Sequence, residues 1–221
     1  MTEKISLQQF RESDGVEDWR ILSEGAYAYF HVGSFAEAIR FAEAIANLPG
    51  VATHQPDLDI RHGGVTVRLV TITKDYYGMA RHDAELARDI SAIARRLGYR
   101  ADPSSLQDLL VVPGSLRTAD VFPFWKAVLG YDPRPDSPDL DLVDPNRRGA
   151  SFWFEQMDEL RPDGGGAIHI AVFVPHEMAQ SRVAAALAAG GRMVRDFGPA
   201  WWTLADSAGN EADIATTMGR D

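Results

Sequence analysis

The segment Thr53-His54-Gln55-Pro56-Asp57 carries the clearest chemistry in this chain. It follows a helical pattern and precedes a strand pattern. Proline fixes its own φ and pushes its predecessor out of the α region, so an imidazole is held on a stiff, non-helical backbone. Imidazole is the side chain best suited to move protons near neutral pH. Gln55 can orient a ligand through its amide but has no proton to exchange at neutral pH. His62 and His82 are candidates to supply a further imidazole, although nothing in the sequence places them. A helix-exit histidine bonded only to backbone is the plainer reading of His54.

The elements that must position this segment read as α+β. Trp19 to Ser23 and Ala26 to Val32 are expected strands around Glu24-Gly25. Ser34 and Glu37 have capping-box spacing, and Phe35, Ile39, Ala42 and Ile45 repeat at helical spacing after them. Pro49-Gly50 stops that helix. Leu58 to Arg61 and Val65 to Ile72 flank Gly63-Gly64, a hairpin signal. The Val65 strand is expected at a sheet edge, where it would pair with a second copy and give a homo-oligomer. A helix from Arg81 carries Leu86, Ile90, Ile93 and Leu97 on one stripe and ends at Gly98. Tyr99 to Ser105 reads as a linker.

The second half repeats itself. A strand from Gln107 to Val112, a helix from Thr118 to Leu129 and three short strands ending at Glu155 form one βαβββ unit. Ile168 to Val174, His176 to Ala189 and three strands ending at Ala215 form the next. Two such units can pair into one cupped sheet, and an internal repeat is a strong architectural signal. Domains are expected over 1–100 and 106–218. Trp201-Trp202 read as packing residues. The Asp-rich run from Asp136 to Asp144 lacks the ligand spacing of a calcium loop and reads as a solvated turn and edge strand. Gly164-Gly165-Gly166 reads as a connection between the units.

Of the 221 residues 45% are hydrophobic, enough for a packed core. The net charge of −10 and scattered basic residues argue against a nucleic-acid partner. With no Cys, disulfides and thiolate metal sites are excluded. No apolar run approaches the ~20 residues that cross a bilayer. No signal-peptide core opens the chain. The expectation is a cytoplasmic protein with a small-molecule ligand and no membrane partner.

Residues 7–97 resemble the pterin-4a-carbinolamine dehydratases. The resemblance rests on Val16 to Trp19, the Ser34-Phe35 helix start, His54 and Pro56, the strand Val65 to Leu69, and Asp83 with Leu86-Ala87. It implies an antiparallel sheet backed by helices, assembly as dimers or tetramers, and loss of water from a 4a-hydroxytetrahydropterin. It makes His54 the catalytic acid/base and Gln55, Pro56, Asp57 and Asp83 the pterin-binding residues. This chain departs from the family's His-His-Pro mark at Gln55. The family's later histidine falls on Ile72, and its acidic residue before the motif falls on Gly50.

Residues 106–216 resemble the glyoxalase and bleomycin-resistance superfamily, the vicinal oxygen chelate proteins. Phe124 to Tyr131 matches the end of the superfamily's first helix, and Asp206 to Glu211 the turn before its last strand. The resemblance puts metal ligands at Gln107, Glu155, His169 and Asp213, donors that suit a hard or borderline divalent cation. A divalent metal there is the one cofactor expected. An apolar organic-ligand cup without metal is the alternative. The leading reading is therefore a 4a-hydroxytetrahydrobiopterin dehydratase-type lyase with an appended glyoxalase-like domain. Two others stand beside it. One is a small-molecule binding or sequestering protein with a non-catalytic oligomerisation domain. The other is a metal-dependent lyase or isomerase in the second half.

Overall fold

The computed structural model describes residues 2–159, 168–205 and 211–219, apart from the side chains at 124 and 128. The chain divides into two compact units, one built from residues up to 72 and 77–106, the other from 73–76 and 107–219. The turn matched at Asp206 to Asn210 and the connection at Gly164 to Gly166 lie outside the described residues. No helix among the described residues is long and apolar enough to cross a membrane.

In chain order the first unit comprises α1 (Leu7–Arg11), β1 (Arg20–Leu22), β2 (Gly25–His31), α2 (Phe35–Ala46), β3 (Asp57–Arg61), β4 (Gly64–Leu69), β5 (Thr71–Thr73), β6 (Tyr76–Gly78), α3 (Arg81–Leu97) and β7 (Arg100–Ala101). Its main sheet has the order β1-β2-β4-β3, all antiparallel, and β7 joins β2 beside β1. Gly25 turns β1 into β2 at a φ of 133°, where a Cβ would lie 2.4 Å from the Leu69 carbonyl oxygen. Strand alternation sends Ala28, Phe30, Val65, Val67 and Leu69 to one face, where all are fully buried. Phe41 and Ile45 of α2 and Leu86, Ile90 and Ile93 of α3 close the core from the helix side. Each such buried aromatic or aliphatic side chain contributes roughly 1.5–3 kcal/mol by leaving water.

Four local expectations are corrected. The strand at Val65 is central, because the Gly63 turn lays β3 along its outer side; the sheet edge is β3. In α2 the buried positions are Ala38, Phe41 and Ile45, while Phe35 and Ile39 are 65% and 47% exposed. Both series have helical spacing, and the one containing Phe41 wins because that ring meets Phe30 and Tyr99 edge-on, each at 5.3 Å. At the start of α2 only one arm of the capping box forms: Ser34 Oγ accepts from Glu37 N, and its hydroxyl donates to Glu37 Oε2. The segment after Gly98 is not a free linker. β7 pairs with β2, Asp102 N donates to the Tyr29 carbonyl at 2.9 Å, and the Asp102 carboxylate meets His31 Nε2 at 3.0 Å.

The second unit contains β8 (Asp108–Ser115), α4 (Thr118–Leu129), β9 (Asp132–Arg134), β10 (Ser137–Val143), β11 (Ser151–Trp153), β12 (Glu155–Gln156), β13 (Ile168–Phe173), α5 (His176–Ala188), β14 (Arg192–Phe197), β15 (Trp201–Ala205) and β16 (Glu211–Ala215). The two βαβββ repeats join at an antiparallel β8–β13 seam, giving the order β14-β15-β16-β13-β8-β11-β10-β9, with β12 also on β8. β11 and β12 run parallel to β8, and β16 runs parallel to β13, so the repeats match strand for strand and form one large cupped sheet. β10 is flanked by β9 and β11, so the Asp-rich run is not an edge. Trp202, Leu204 and Ile214 pack under Ala179 and Val183 of α5. Leu142, Phe152 and Phe154 pack with Phe122 and Trp125 of α4.

Candidate functional site

Three segments of the first unit bring their polar side chains together. The chain leaves α2 through a 3-10 turn at Pro49–Ala52, and the His54 N–H donates to the Gly50 carbonyl at 3.0 Å, fixing the backbone ahead of Pro56. β5 supplies Thr71. The start of α3 supplies His82 and Asp83.

Asp83 is the anchor, and it is fully buried. Its Oδ2 accepts from the Ala80 N–H at 2.7 Å, which satisfies a free donor at the helix start. The same oxygen accepts from the Thr71 hydroxyl at 2.7 Å. Its Oδ1 lies 2.5 Å from His54 Nε2. A carboxylate at a helix N-terminus also meets the positive end of the helix dipole. Three bonds and the dipole thus offset the cost of burying this charge.

The network fixes the proton positions. A carboxylate only accepts, so His54 Nε2 must carry the proton it gives to Asp83. The single Thr71 hydrogen goes to Asp83 Oδ2, so Thr71 Oγ1 must accept from His82 Nε2, which lies 2.9 Å away. The two imidazoles meet edge-on, with ring centroids 4.3 Å apart. Among the described residues neither Nδ1 has a hydrogen-bond partner. Both rings are half-buried. The imidazole nitrogens and an Asp83 oxygen lie within 4.8 Å of one another, a grouping that could hold a metal ion. Asp83 and Thr71 already hold the two Nε2 atoms, an arrangement that can also serve proton transfer.

The other first-unit candidates are placed as follows. Gln55 is exposed, and Pro56 is half-buried between it and β3. Asp57 is committed to a salt bridge with Arg68, Oδ2 to Nη2 at 2.9 Å. Asp83, implied as a pterin contact, has both oxygens turned to protein donors. His62 is exposed in the turn at the far end of β3, whereas His82 lies beside His54. Ile72 is next to Thr71 in β5 and 40% exposed. Sequence reasoning did not find Thr71. A polar residue on a short strand is visible in sequence only as spacing, and the contact that matters spans eleven residues.

In the second unit His169 Nε2 lies 3.2 Å from Asp213 Oδ2. These two are brought together because β13 and β16 are neighbours and Ala171 is in register with Asp213, on the same sheet face as His169. Burial pushes the Asp213 carboxyl up, but hydrogen bonds from His169 and Thr203 and the field of Arg195 outweigh it and hold the group below its usual range. Asp213 Oδ1 is buried and has no partner among the described residues.

Gln107 and Glu155 do not join them. Gln107 precedes β8, and its Oε1 lies 3.5 Å from Arg182 Nη1 on α5. That helix packs on the Trp202 and Ile214 face, opposite to Asp213. Glu155 pairs with Gly114 on the far side of β8. Glu155, His169 and Asp213 do not come within 4.8 Å of one another as a group. The donors therefore do not fit a shared ion, since metal ligands must converge to roughly 2.0–2.2 Å.

Comparison with known proteins agrees with this two-part architecture. The family model for pterin 4 alpha carbinolamine dehydratase matches residues 3–93, and that for a glyoxalase-like domain matches residues 111–215. A protein of Chloroflexus aurantiacus named "Putative pterin-4-alpha-carbinolamine dehydratase" is 36% identical over 76 residues, which is 34% of this chain and 80% of that one. Proteins of the same name from Acidobacterium capsulatum and Roseiflexus sp. are 31% and 41% identical over 75 and 64 residues. Those matches cover 34% and 29% of this chain, and 79% and 67% of the relatives.

Proposed function

Because the chain belongs, through its first unit, to the pterin-4a-carbinolamine dehydratase family and carries a glyoxalase-like domain behind it, we propose that it is a hydro-lyase that removes water from a 4a-hydroxytetrahydropterin at His54. The observation that carries this reading is the 2.5 Å contact from His54 Nε2 to the fully buried Asp83 carboxylate. That contact fixes the ring's orientation and tautomer and leaves Nδ1 to exchange a proton with the substrate. The buried carboxylate offsets the positive charge the ring acquires. Exposed Gln55 and half-buried Pro56 follow His54, and the Gln55 amide would orient the pterin.

The second unit is assigned a binding role. The His169–Asp213 pair and Asp213 Oδ1, which has no partner among the described residues, favour a small organic ligand with a hydrogen-bond donor. A divalent ion is not assigned to it. Self-association is proposed through the first unit, on the strength of exposed Phe35 and Ile39 and the unpaired edge of β3.

The reading is tested by calorimetric titration of the full chain with a tetrahydropterin analogue. Saturable binding that weakens in His54→Ala is expected. No saturable heat at millimolar analogue removes the pterin from the account.

A further inference from the structure

We infer that His82 is the second proton-transfer group of this site, supplying from the start of α3 the imidazole that is absent at Gln55 and Ile72. The inference rests on the dehydratase reading and names a residue that the resemblance does not.

Dehydration asks for two proton movements. The N5–H proton of the pterin must leave, and the departing oxygen at C4a must gain one. One imidazole can do both only by turning over between steps. Two imidazoles side by side can do them together. His54 and His82 have ring centroids 4.3 Å apart at an interplanar angle of 68°. Both are fastened at Nε2 to one buried anchor, His54 to Asp83 directly and His82 through Thr71 Oγ1 at 2.9 Å. The fastening leaves both Nδ1 atoms open, so both reactive nitrogens belong to rings whose positions are set by the same carboxylate.

The network also divides the roles. His54 faces the Asp83 carboxylate, which offsets the charge of a protonated ring, so His54 is the base. His82 Nε2 is bonded to the neutral Thr71 hydroxyl and not to the carboxylate itself, so its protonated form is the donor. In the step, neutral His54 Nδ1 takes the N5 proton, and the N5–H bonding pair becomes the C4a–N5 double bond. The C4a–O bond breaks, and its pair stays on oxygen. Protonated His82 Nδ1–H delivers a proton to that oxygen, which leaves as water. One proton has passed from His82 to His54, none is consumed, and exchange with solvent restores the pair.

The test uses His82→Gln in the full chain. A glutamine amide can still donate to Thr71 but cannot titrate, so the anchor is kept and only proton transfer is removed. We expect kcat to fall about 10²-fold, the lower end for a positioned acid/base, with unchanged binding of a tetrahydropterin analogue. Exogenous imidazole should restore part of the rate in His82→Ala, while His62→Gln, in the exposed turn, keeps the wild-type rate. A His82→Gln enzyme within twofold of wild type overturns this inference and leaves His54 and the dehydratase reading standing. A fall accompanied by a lower Tm, with no rescue by imidazole, assigns His82 a structural role and also overturns it. A wild-type protein no faster than the spontaneous reaction overturns the dehydratase reading itself, and this inference with it.

Discussion

Replacing Asp83 by Asn reverses the proton arrangement at His54 without changing the shape of the site. Asp83 accepts three hydrogen bonds, from Ala80 N, Thr71 Oγ1 and His54 Nε2. The Asn carbonyl can keep the first two, so the α3 start stays capped. The amide NH₂ then faces His54 and donates where the carboxylate accepted. His54 must answer with an unprotonated Nε2, so its proton moves to Nδ1, the nitrogen that should act as base. The same swap behind the histidine of a Ser-His-Asp triad costs about 10⁴ in kcat. Positioned acid/base catalysis is typically worth ~10²–10⁴-fold, or about 3–5 kcal/mol of barrier. Asp83→Asn should therefore lower kcat by that factor in a stopped-flow dehydration assay and leave KM within about threefold, because no ligand contact is removed. Loss of a charge-assisted hydrogen bond should also cost roughly 1.5–3 kcal/mol of stability, read by denaturant unfolding. An Asp83→Asn protein that dehydrates its substrate within threefold of wild type refutes the reasoning, since His54 would then work in either tautomer.

Two further outcomes follow from the same geometry. The Ser104 hydroxyl, the His31 ring and the Ser105 hydroxyl hold the Asp102 carboxyl far below its usual range, and Asp213 is also held low. A depressed carboxyl contributes stability above its unfolded value near ~3.9 and loses it as pH falls through its folded value. Stability measured by urea unfolding should therefore fall below about pH 4 and fall less steeply in Asp102→Asn and Asp213→Asn; Asp141, pushed up by burial, acts in the opposite sense. Elemental analysis after reconstitution with zinc, manganese or cobalt should find well below one equivalent bound by the second unit, with no change in His169→Ala. A stoichiometric ion lost in that variant contradicts the separation of Gln107 and Glu155 from the His169–Asp213 pair.

The fold was legible wherever one local signal dominated. The Gly98 stop of α3, the Gly63 hairpin turn and the β16 strand stand where their sequence patterns put them, because turn chemistry and strand alternation are local. The βαβββ repeat was legible for the same reason. Which of two competing apolar series in α2 is buried was not, because that is decided by Phe30 and Tyr99 across the core. At the site, His54 could be read from its proline frame, but Thr71 and the partnership with His82 could not. These depend on a short β5 strand meeting the first turn of α3, a contact no periodicity encodes. Gln107 is the opposite case. A superfamily position put it among ligands, while the start of β8 at Asp108 leaves it on the helix side, near Arg182.

Proton transfer for dehydration is the role proposed for the cluster around His54. It is tested most directly by the rate at which the full chain consumes 4a-hydroxytetrahydropterin above the spontaneous reaction, compared with His54→Ala. A clear acceleration by wild type and a loss of about 10²–10⁴-fold in the variant are expected. A wild-type rate equal to the spontaneous one, or a His54→Ala rate equal to wild type, contradicts it.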